Sequence, residues 1–201
     1  VSWLYYADRL NQLPLGLIGI AIGTAILPTL SRQIGGGNAK AAHDTQNRAL
    51  ELALFFALPA TVALVVAAGP IIHGVFEHGA FTAADTTGTA GVLAAFSMGV
   101  PAYVLIKVLT PGFYARSDTK TPLRLALIAM VVNLVGNLIL IWPLQHIGVG
   151  VATAASAWVN VGLIWFVLRK RGHIVPDARL LQKAWRLLAA ALIMGVALWF
   201  G

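Results

Sequence analysis

Residues 125–168 read LALIAMVVNLVGNLILIWPLQHIGVGVATAASAWVNVGLIWFVL, a run without Asp, Glu, Lys or Arg. One α-helix of that length would extend about 65 Å, whereas the hydrocarbon core of a bilayer is about 30 Å thick. Residues that favour a turn stand near the centre of the run: Pro143, Gln145, His146 and Gly148. The run therefore predicts two membrane spans, at about 123–142 and 148–168, joined by a tight turn.

The rest of the chain contains further stretches that are apolar enough to cross a membrane. They lie at about 10–31, 50–73, 84–108 and 184–201, the last of them short. The chain has 59% hydrophobic and 10% charged residues and a mean hydropathy of +0.82, which excludes a soluble domain, since soluble proteins carry about 25% charged residues. The predicted fold class is all-α: one polytopic transmembrane helix bundle of about six spans, covering residues 1–201.

The positions of the basic residues predict the orientation of these spans. All of the 14 Lys and Arg residues except Arg9 fall in the first, third and fifth connections, at about 32–48, 107–124 and 169–186. Since basic residues collect in cytoplasmic loops, we expect these connections to be cytoplasmic and residue 1 to be periplasmic. The net charge of +7 then faces anionic lipid and does not indicate nucleic-acid binding.

Local patterns refine the boundaries. Thr82, followed three residues later by Asp85, has the form of a capping box, which predicts that a helix starts just after Thr82. The polar residues 31–47 predict a loop with a short surface helix. The first residue is Val, and the last apolar run stops at Gly201 without a polar flank. We therefore expect the chain to be a fragment.

An adjacent acid and base open the first span. Asp8 and Arg9 would be costly in hydrocarbon, which indicates that they face water or protein. A guanidinium also matches a phosphate group through two parallel hydrogen bonds. Gln12, one helical turn after Asp8, extends this polar face. The alternative for Arg9 is a side chain that extends to lipid headgroups at the membrane surface.

A second polar cluster is predicted between the fourth and fifth spans. Asn133 and Asn137 are four residues apart and share one helix face, and Val149 and Thr153 have the same spacing. Two carboxamide oxygens, a backbone carbonyl and a hydroxyl would together suit a hard cation. Hydrogen bonding between two helices is the alternative.

The remaining notable residues indicate helix packing or a membrane-surface position rather than a catalytic or metal-binding site. Gly19 and Gly23 form a pair of small residues that permits close helix approach, and Lys107 is expected to extend to the cytoplasmic interface. The chain has no Cys, and its 5 His residues lack the spacing of a metal site. Neither a nucleophile with its base nor a phosphate loop is visible, so an enzyme is not indicated.

Three stretches resemble one known family. Residues 6–31 read YADRLNQLPLGLIGIAIGTAILPTLS, residues 78–85 read HGAFTAAD and residues 107–122 read KVLTPGFYARSDTKTP. They resemble helix eight, a periplasmic loop, and the exit of helix ten with its cytoplasmic loop in the MurJ (MviN) family of lipid II flippases. The stretches occur in the family's order, and the resemblance places the chain at helices eight to thirteen of fourteen.

The resemblance implies the fold of the multidrug, oligosaccharidyl-lipid and polysaccharide exporter superfamily, in which two bundles rock to open a central cavity to each side in turn. It implies that Arg9 contacts the pyrophosphate of lipid II, with Asp8 as its orienting partner. Gln12 belongs to the same substrate site and stands where some members carry Glu.

Some family members also bind sodium, which the resemblance implies for four residues here. The positions that match in spacing are Asn133, Asn137, Val149 and Thr153. Asn137 stands where a sodium-binding member has an aspartate. Apart from Na⁺, no cofactor is expected.

The expected function is that of a lipid II flippase of the bacterial inner membrane. It would translocate an undecaprenyl-pyrophosphate-linked peptidoglycan precursor by alternating access, without bond chemistry. The expected partners are lipid II, membrane lipid and cell-wall synthesis proteins. The alternatives are another exporter of the superfamily, carrying polysaccharide-lipids or drugs, and a non-transporting membrane scaffold for cell-wall proteins.

Overall fold

The structure is a computed structural model that describes residues 2–78 and 81–200, and all of its regular elements are helices. In chain order they are α1 (Ser2–Pro14), a π-helical turn (Leu15–Ile20), α2 (Ala21–Gly35), α3 (Ala39–Val66), α4 (Ala68–Phe76), α5 (Ala83–Ser97), α6 (Val100–Leu109), α7 (Pro111–Tyr114), α8 (Lys120–Lys170) and α9 (Ala178–Phe200). The predicted periplasmic place of residue 1, two residues of the 78–85 motif and the end of the last predicted span lie outside the described residues.

Five helical stretches are long and apolar enough to cross a membrane. They are Trp3–Gly35, Ala39–Val66, Ala83–Tyr114, Lys120–Lys170 and Ala178–Phe200. Large apolar side chains such as Leu138, Phe166 and Ile193 are each more than 60% exposed, which lipid tolerates and water does not. The predicted all-α transmembrane bundle is confirmed, and the protein is a multi-pass membrane protein.

The chain reverses direction within α8. Gln145 has non-helical backbone angles (φ 49°, ψ −127°), and the helical segments on either side, 120–144 and 146–170, fold back on each other. A Cβ at Gly148 would overlap the carbonyl oxygen of Leu140, so this close approach requires glycine. The turn lies within the predicted 143–148 stretch, and the five helical stretches thus make six crossings.

The first helix packs along the third crossing, Ala83–Tyr114, which is the most buried of the five helical stretches. The α1 helix packs against α5, and α2 and the π-helical turn pack against α6. The α3 helix contacts α2, α6 and α9, while α5 and α6 also contact α8. Small residues set some of these distances: a Cβ at Gly23 would lie 2.6 Å from the carbonyl oxygen of Lys107.

The basic connections meet at one end of the bundle. Arg48 pairs with both Glu51 and Asp177, Lys183 Nζ lies 2.8 Å from Glu51 Oε2, and residues 32–48 thereby contact residues 169–186. Arg171 links this end to the remaining basic connection through an ion pair with Asp118, at 2.6 Å.

The other connections meet at the opposite end. Trp3 Nε1 donates to Asp85 Oδ1 at 2.8 Å, and the Trp3 ring lies 4.6 Å from the His146 ring between centroids. Tyr6 packs against Phe76 and Phe81. The two ends therefore alternate along the chain, as six crossings require.

Some helix boundaries differ from the predicted ones. The α3 helix begins at Ala39, where the Asn38 side chain accepts from the Ala41 N–H. The loop predicted at 31–47 is therefore only 36–38, because α2 continues to Gly35 and residues 39–47 belong to α3. The third crossing breaks at Met98 and Gly99 and restarts with Pro101 in the first turn of α6, a position that proline favours. The capping box of Thr82 and Asp85 is confirmed.

We expect Gly148→Val to destabilise the fold, because its side chain would overlap the Leu140 carbonyl. Overpacking of this kind costs about 1–3 kcal/mol in the free energy of unfolding. The matched control is Gly162→Val on the same segment of α8, since a Cβ there meets no atom within 4 Å. Thermal unfolding in detergent measures the difference, and equal melting temperatures would contradict the turn geometry.

We expect Asp118 to make stability depend on pH. Hydrogen bonds from Thr121 and the ion pair with Arg171 lower the Asp118 pKa from 3.8 to about 2. Because the folded-state pKa is depressed, its stabilising contribution is complete above about pH 4 and is lost as the pH falls toward 2. Wild-type melting temperature should therefore fall more steeply between pH 5 and pH 2.5 than that of Asp118→Asn, and parallel curves would refute this.

Candidate functional site

The predicted substrate residues Asp8, Arg9 and Gln12 lie on α1. Their side chains form hydrogen bonds between residues that are four apart in sequence. Gln12 Nε2 donates to Asp8 Oδ2, and Arg9 Nη2 donates to the hydroxyl of Tyr5 at 3.2 Å. The Arg9 guanidinium also lies 5.0 Å from the centroid of the Tyr5 ring, a cation–π distance.

The pairing of Asp8 with Arg9 is a correction to the predicted site. Asp8 and Arg9 are consecutive, so their side chains leave the helix about 100° apart and do not meet. Residues four apart lie on one face, which is why Tyr5 orients Arg9 and Gln12 holds Asp8. Tyr5 was missed by the sequence reasoning, although its spacing from Arg9 was a usable signal.

The Arg9 guanidinium is exposed and makes its described bond to a neutral phenol. No ion pair involves Arg9 in the part of the chain that the structure describes. Its remaining N–H donors form a fork that matches the spacing of two phosphate oxygens. The group can therefore bind an anion without first breaking a salt bridge.

A π-helical turn separates this site from α2. The turn spans Leu15–Ile20 and follows Pro14, which has no backbone N–H to continue the α-helical pattern. Single π-helical turns inside α-helices are frequent at functional sites. Arg9 thus lies on a helical segment whose register differs from that of α2.

The predicted cation residues form one hydrogen-bonded cluster between the two segments of α8. Asn137 Nδ2 donates to Asn133 Oδ1 at 3.0 Å, and Asn133 Nδ2 donates to Thr153 Oγ1 at 3.2 Å. Thr153 Oγ1 in turn donates to the Val149 carbonyl at 2.7 Å. Sequence reasoning missed Ser156, whose hydroxyl lies 3.3 Å from Asn133 Nδ2.

The cluster offers oxygen atoms but no negative charge. Most of its oxygens accept hydrogen bonds from other members, while Asn137 Oδ1 is buried without a partner. Within the described residues no group of three or more His, Cys, Asp or Glu could hold a metal ion. The cluster therefore contains the type of ligand atom that Na⁺ prefers, namely oxygen. Hydrogen bonds among its members nevertheless explain nearly all of the arrangement of these atoms.

Tyr103 connects the cluster to the third crossing. Its hydroxyl donates to the Thr153 carbonyl at 3.2 Å, which ties α6 to the second segment of α8. The polar residues inside the bundle thus form a connected group across three crossings, and such bonds hold membrane helices together.

Comparison with known proteins agrees with this architecture. A family model described as lipid II flippase MurJ matches residues 1–201. The chain is 45% identical over 199 residues to the probable lipid II flippase MurJ of Rhizobium meliloti (strain 1021), covering 99% of this chain and 37% of that protein. It is 43% identical over 195 residues to the Rhizobium tropici protein of the same name, covering 97% and 37%.

Solved structures show the same likeness. The inward closed conformation of lipid II flippase MurJ has a TM-score of 0.86 at 29% identity, covering 98% of this chain and 40% of that one. An inward-facing multidrug resistance MATE family transporter of the MOP superfamily has a TM-score of 0.64 at 18% identity, over 98% and 47%, which supports the fold alone. The chain spans about two fifths of the length of the curated relatives it matches, and it belongs to the lipid II flippase MurJ family.

Proposed function

We propose that this chain forms part of a lipid II flippase, which moves lipid II across the bacterial inner membrane by alternating access. The observation that carries this proposal is the exposed Arg9 guanidinium on a membrane-crossing helix, oriented by Tyr5 and not neutralised by Asp8. The relatives named as lipid II flippases supply the substrate class.

The physical argument for Arg9 is the cost of its charge. An arginine costs about 2.5–3.5 kcal/mol at the centre of a membrane helix, and less near a helix end, where Arg9 lies. Here the neighbour that it hydrogen-bonds is neutral Tyr5, and no acid among the described residues forms an ion pair with it. A cavity filled with water or occupied by a pyrophosphate headgroup would remove this cost, which favours a transport pathway over a lipid-facing position.

The same proposal fixes the orientation. The end of the bundle that carries residues 32–48, 107–124 and 169–186 would face the cytoplasm, because it holds the basic connections. The chain would supply helices eight to thirteen, and the activity would be transport without an enzymatic step. Cell-wall synthesis proteins would be its protein partners.

Two alternative functions differ from the proposed one in that they do not require Arg9. Another exporter of the superfamily would share the fold, which the MATE likeness supports, yet would not need a phosphate-binding arginine. A scaffold for cell-wall proteins would need the basic end of the bundle but not Arg9.

We expect Arg9→Ala, in the complete protein, to abolish complementation of a MurJ-depleted bacterium at normal membrane abundance, because the phosphate contact is lost. Arg9→Lys should retain partial growth, since it keeps the charge without the fork. Tyr5→Phe should reduce growth less than Arg9→Ala. Arg32→Ala is the control, since Arg32 is exposed at the end of α2. Growth of Arg9→Ala cells like wild type would refute the proposed contact.

We also propose that the Asn133 cluster clamps the two segments of α8, with Na⁺ binding as a second role that Asn137 Oδ1 supports. If Na⁺ binds, NaCl should raise the melting temperature more than choline chloride at equal ionic strength. Asn137→Asp should enlarge the difference by adding a charged ligand, and Asn133→Ala should abolish it. Identical melting curves in both salts for wild type and Asn137→Asp would leave only the clamp.

A further inference from the structure

A groove of about 850 Å³ runs along the bundle away from Arg9. Its walls come from the π-helical turn and α2, from α6 and α7, and from both segments of α8. Most of the lining is apolar, with Leu27, Ile106 and Leu123 among the wall residues. The groove therefore accepts an amphiphile more readily than a free ion.

The charged groups that line the groove are two lysines. Lys107 lies on α6 and Lys120 opens α8, and no acidic residue lines the groove. Both side chains are exposed, and neither takes part in an ion pair or hydrogen bond in the described part of the chain. Thr24 and Thr110 already donate to backbone carbonyls of their own helices, so the ammonium groups are the strong donors.

Lys107 packs against two glycines of the first crossing. A Cβ at Gly19 would lie 3.4 Å from Lys107 Cγ, and one at Gly23 would lie 2.6 Å from its carbonyl oxygen. Gly19 precedes the end of α2 at Gly35 by roughly 24 Å of helix. Two glycines thus let α6 approach the first helix closely, and the interfacial position of the Lys107 ammonium stays a prediction.

Asn160 adds a hydrogen-bond acceptor to the residues around the groove. It lines the groove from the second segment of α8, and its Oδ1 is buried without a hydrogen-bond partner. A buried acceptor without a donor costs about 1–3 kcal/mol. Because Oδ1 is inaccessible, a ligand in the groove would meet Asn160 through the accessible atoms of its side chain.

We propose that Lys107 and Lys120 are phosphate contacts for the headgroup of an amphiphilic lipid in this groove, in addition to Arg9 and nearer the basic end of the bundle. Arg9 and Gly19 are ten residues apart, about 15 Å along the helix. Lys107, which packs on Gly19, therefore lies further toward the basic end than Arg9 does. For the identity of the lipid this inference rests on the proposed function: the lysines hold the headgroup at entry from the basic end, and Arg9 holds it next.

The test measures lipid affinity rather than transport. The complete protein in phosphatidylcholine nanodiscs is titrated with a polyisoprenyl pyrophosphate, with phosphatidylglycerol and with inorganic pyrophosphate. Lys107→Gln and Lys120→Gln should each weaken binding of the polyisoprenyl pyrophosphate about tenfold, the loss of one charge-assisted bond. Lys107→Arg should restore most of the affinity, which a merely structural role would not.

Lys40→Gln is the matched control, because Lys40 is exposed at the same end but does not line the groove. Affinities of the two groove variants within twofold of wild type would overturn the lysine site and leave the Arg9 proposal intact. Lysine-dependent binding of phosphatidylglycerol without any binding of the polyisoprenyl pyrophosphate would keep the site and overturn the proposed function. Equal lysine dependence for inorganic pyrophosphate would overturn the requirement for a lipid.

Discussion

Backbone hydrogen bonding inside the hydrocarbon is the constraint on which the rest of this structure depends. Each N–H and C=O within the membrane must be satisfied by its own helix, so the chain can reverse direction only near the surfaces. The reversal at Gln145 lies at the same end as the residues that meet Trp3. Interruptions within crossings are confined to short ones, such as the break before Pro101.

At the basic end of the bundle, basic side chains compensate the charge of a buried carboxylate. Glu51 is 7% exposed, and it receives Arg48, Lys183 and Arg179, the last at 3.5 Å. A buried carboxylate is tolerable only with such partners, and removing one of them would leave uncompensated charge. Because these partners come from α3 and α9, the ion pairs hold the last crossing against the second.

The sequence was informative where one physical rule dominated. Apolar length predicted the helices, alternating basic loops predicted that two sets of connections lie at opposite ends, and Thr82 predicted the start of α5. The cation candidates Asn133 and Asn137, and likewise Val149 and Thr153, share one face each because they are i and i+4 residues, and the predicted turn at 143–148 brings the two pairs together.

Predictions failed where a residue contacts another helix that is distant in sequence. They also failed where residues adjacent in sequence were expected to contact each other. Asp8 and Arg9 are adjacent in sequence yet point in different directions, and Tyr5 took the role given to Asp8. The packing of Lys107 depends on Gly19 and Gly23 of another helix, which no local pattern of α6 reveals. Ser156 joined the asparagine cluster only through the reversal at Gln145.

The π-helical turn at Leu15–Ile20 contains one residue more than the α-helical turn that it replaces. It lies between Arg9 and the part of the helix that packs against α6. If the turn tightened to α-helical geometry, everything before it would rotate by about 100° and advance by about 1.5 Å relative to α2. Arg9 would then point to a different sector of the bundle while Gly23 stayed against Lys107. Because α1 also packs against α5 and Trp3 donates to Asp85, such a change of helical register would redirect the guanidinium only together with a rearrangement of those contacts.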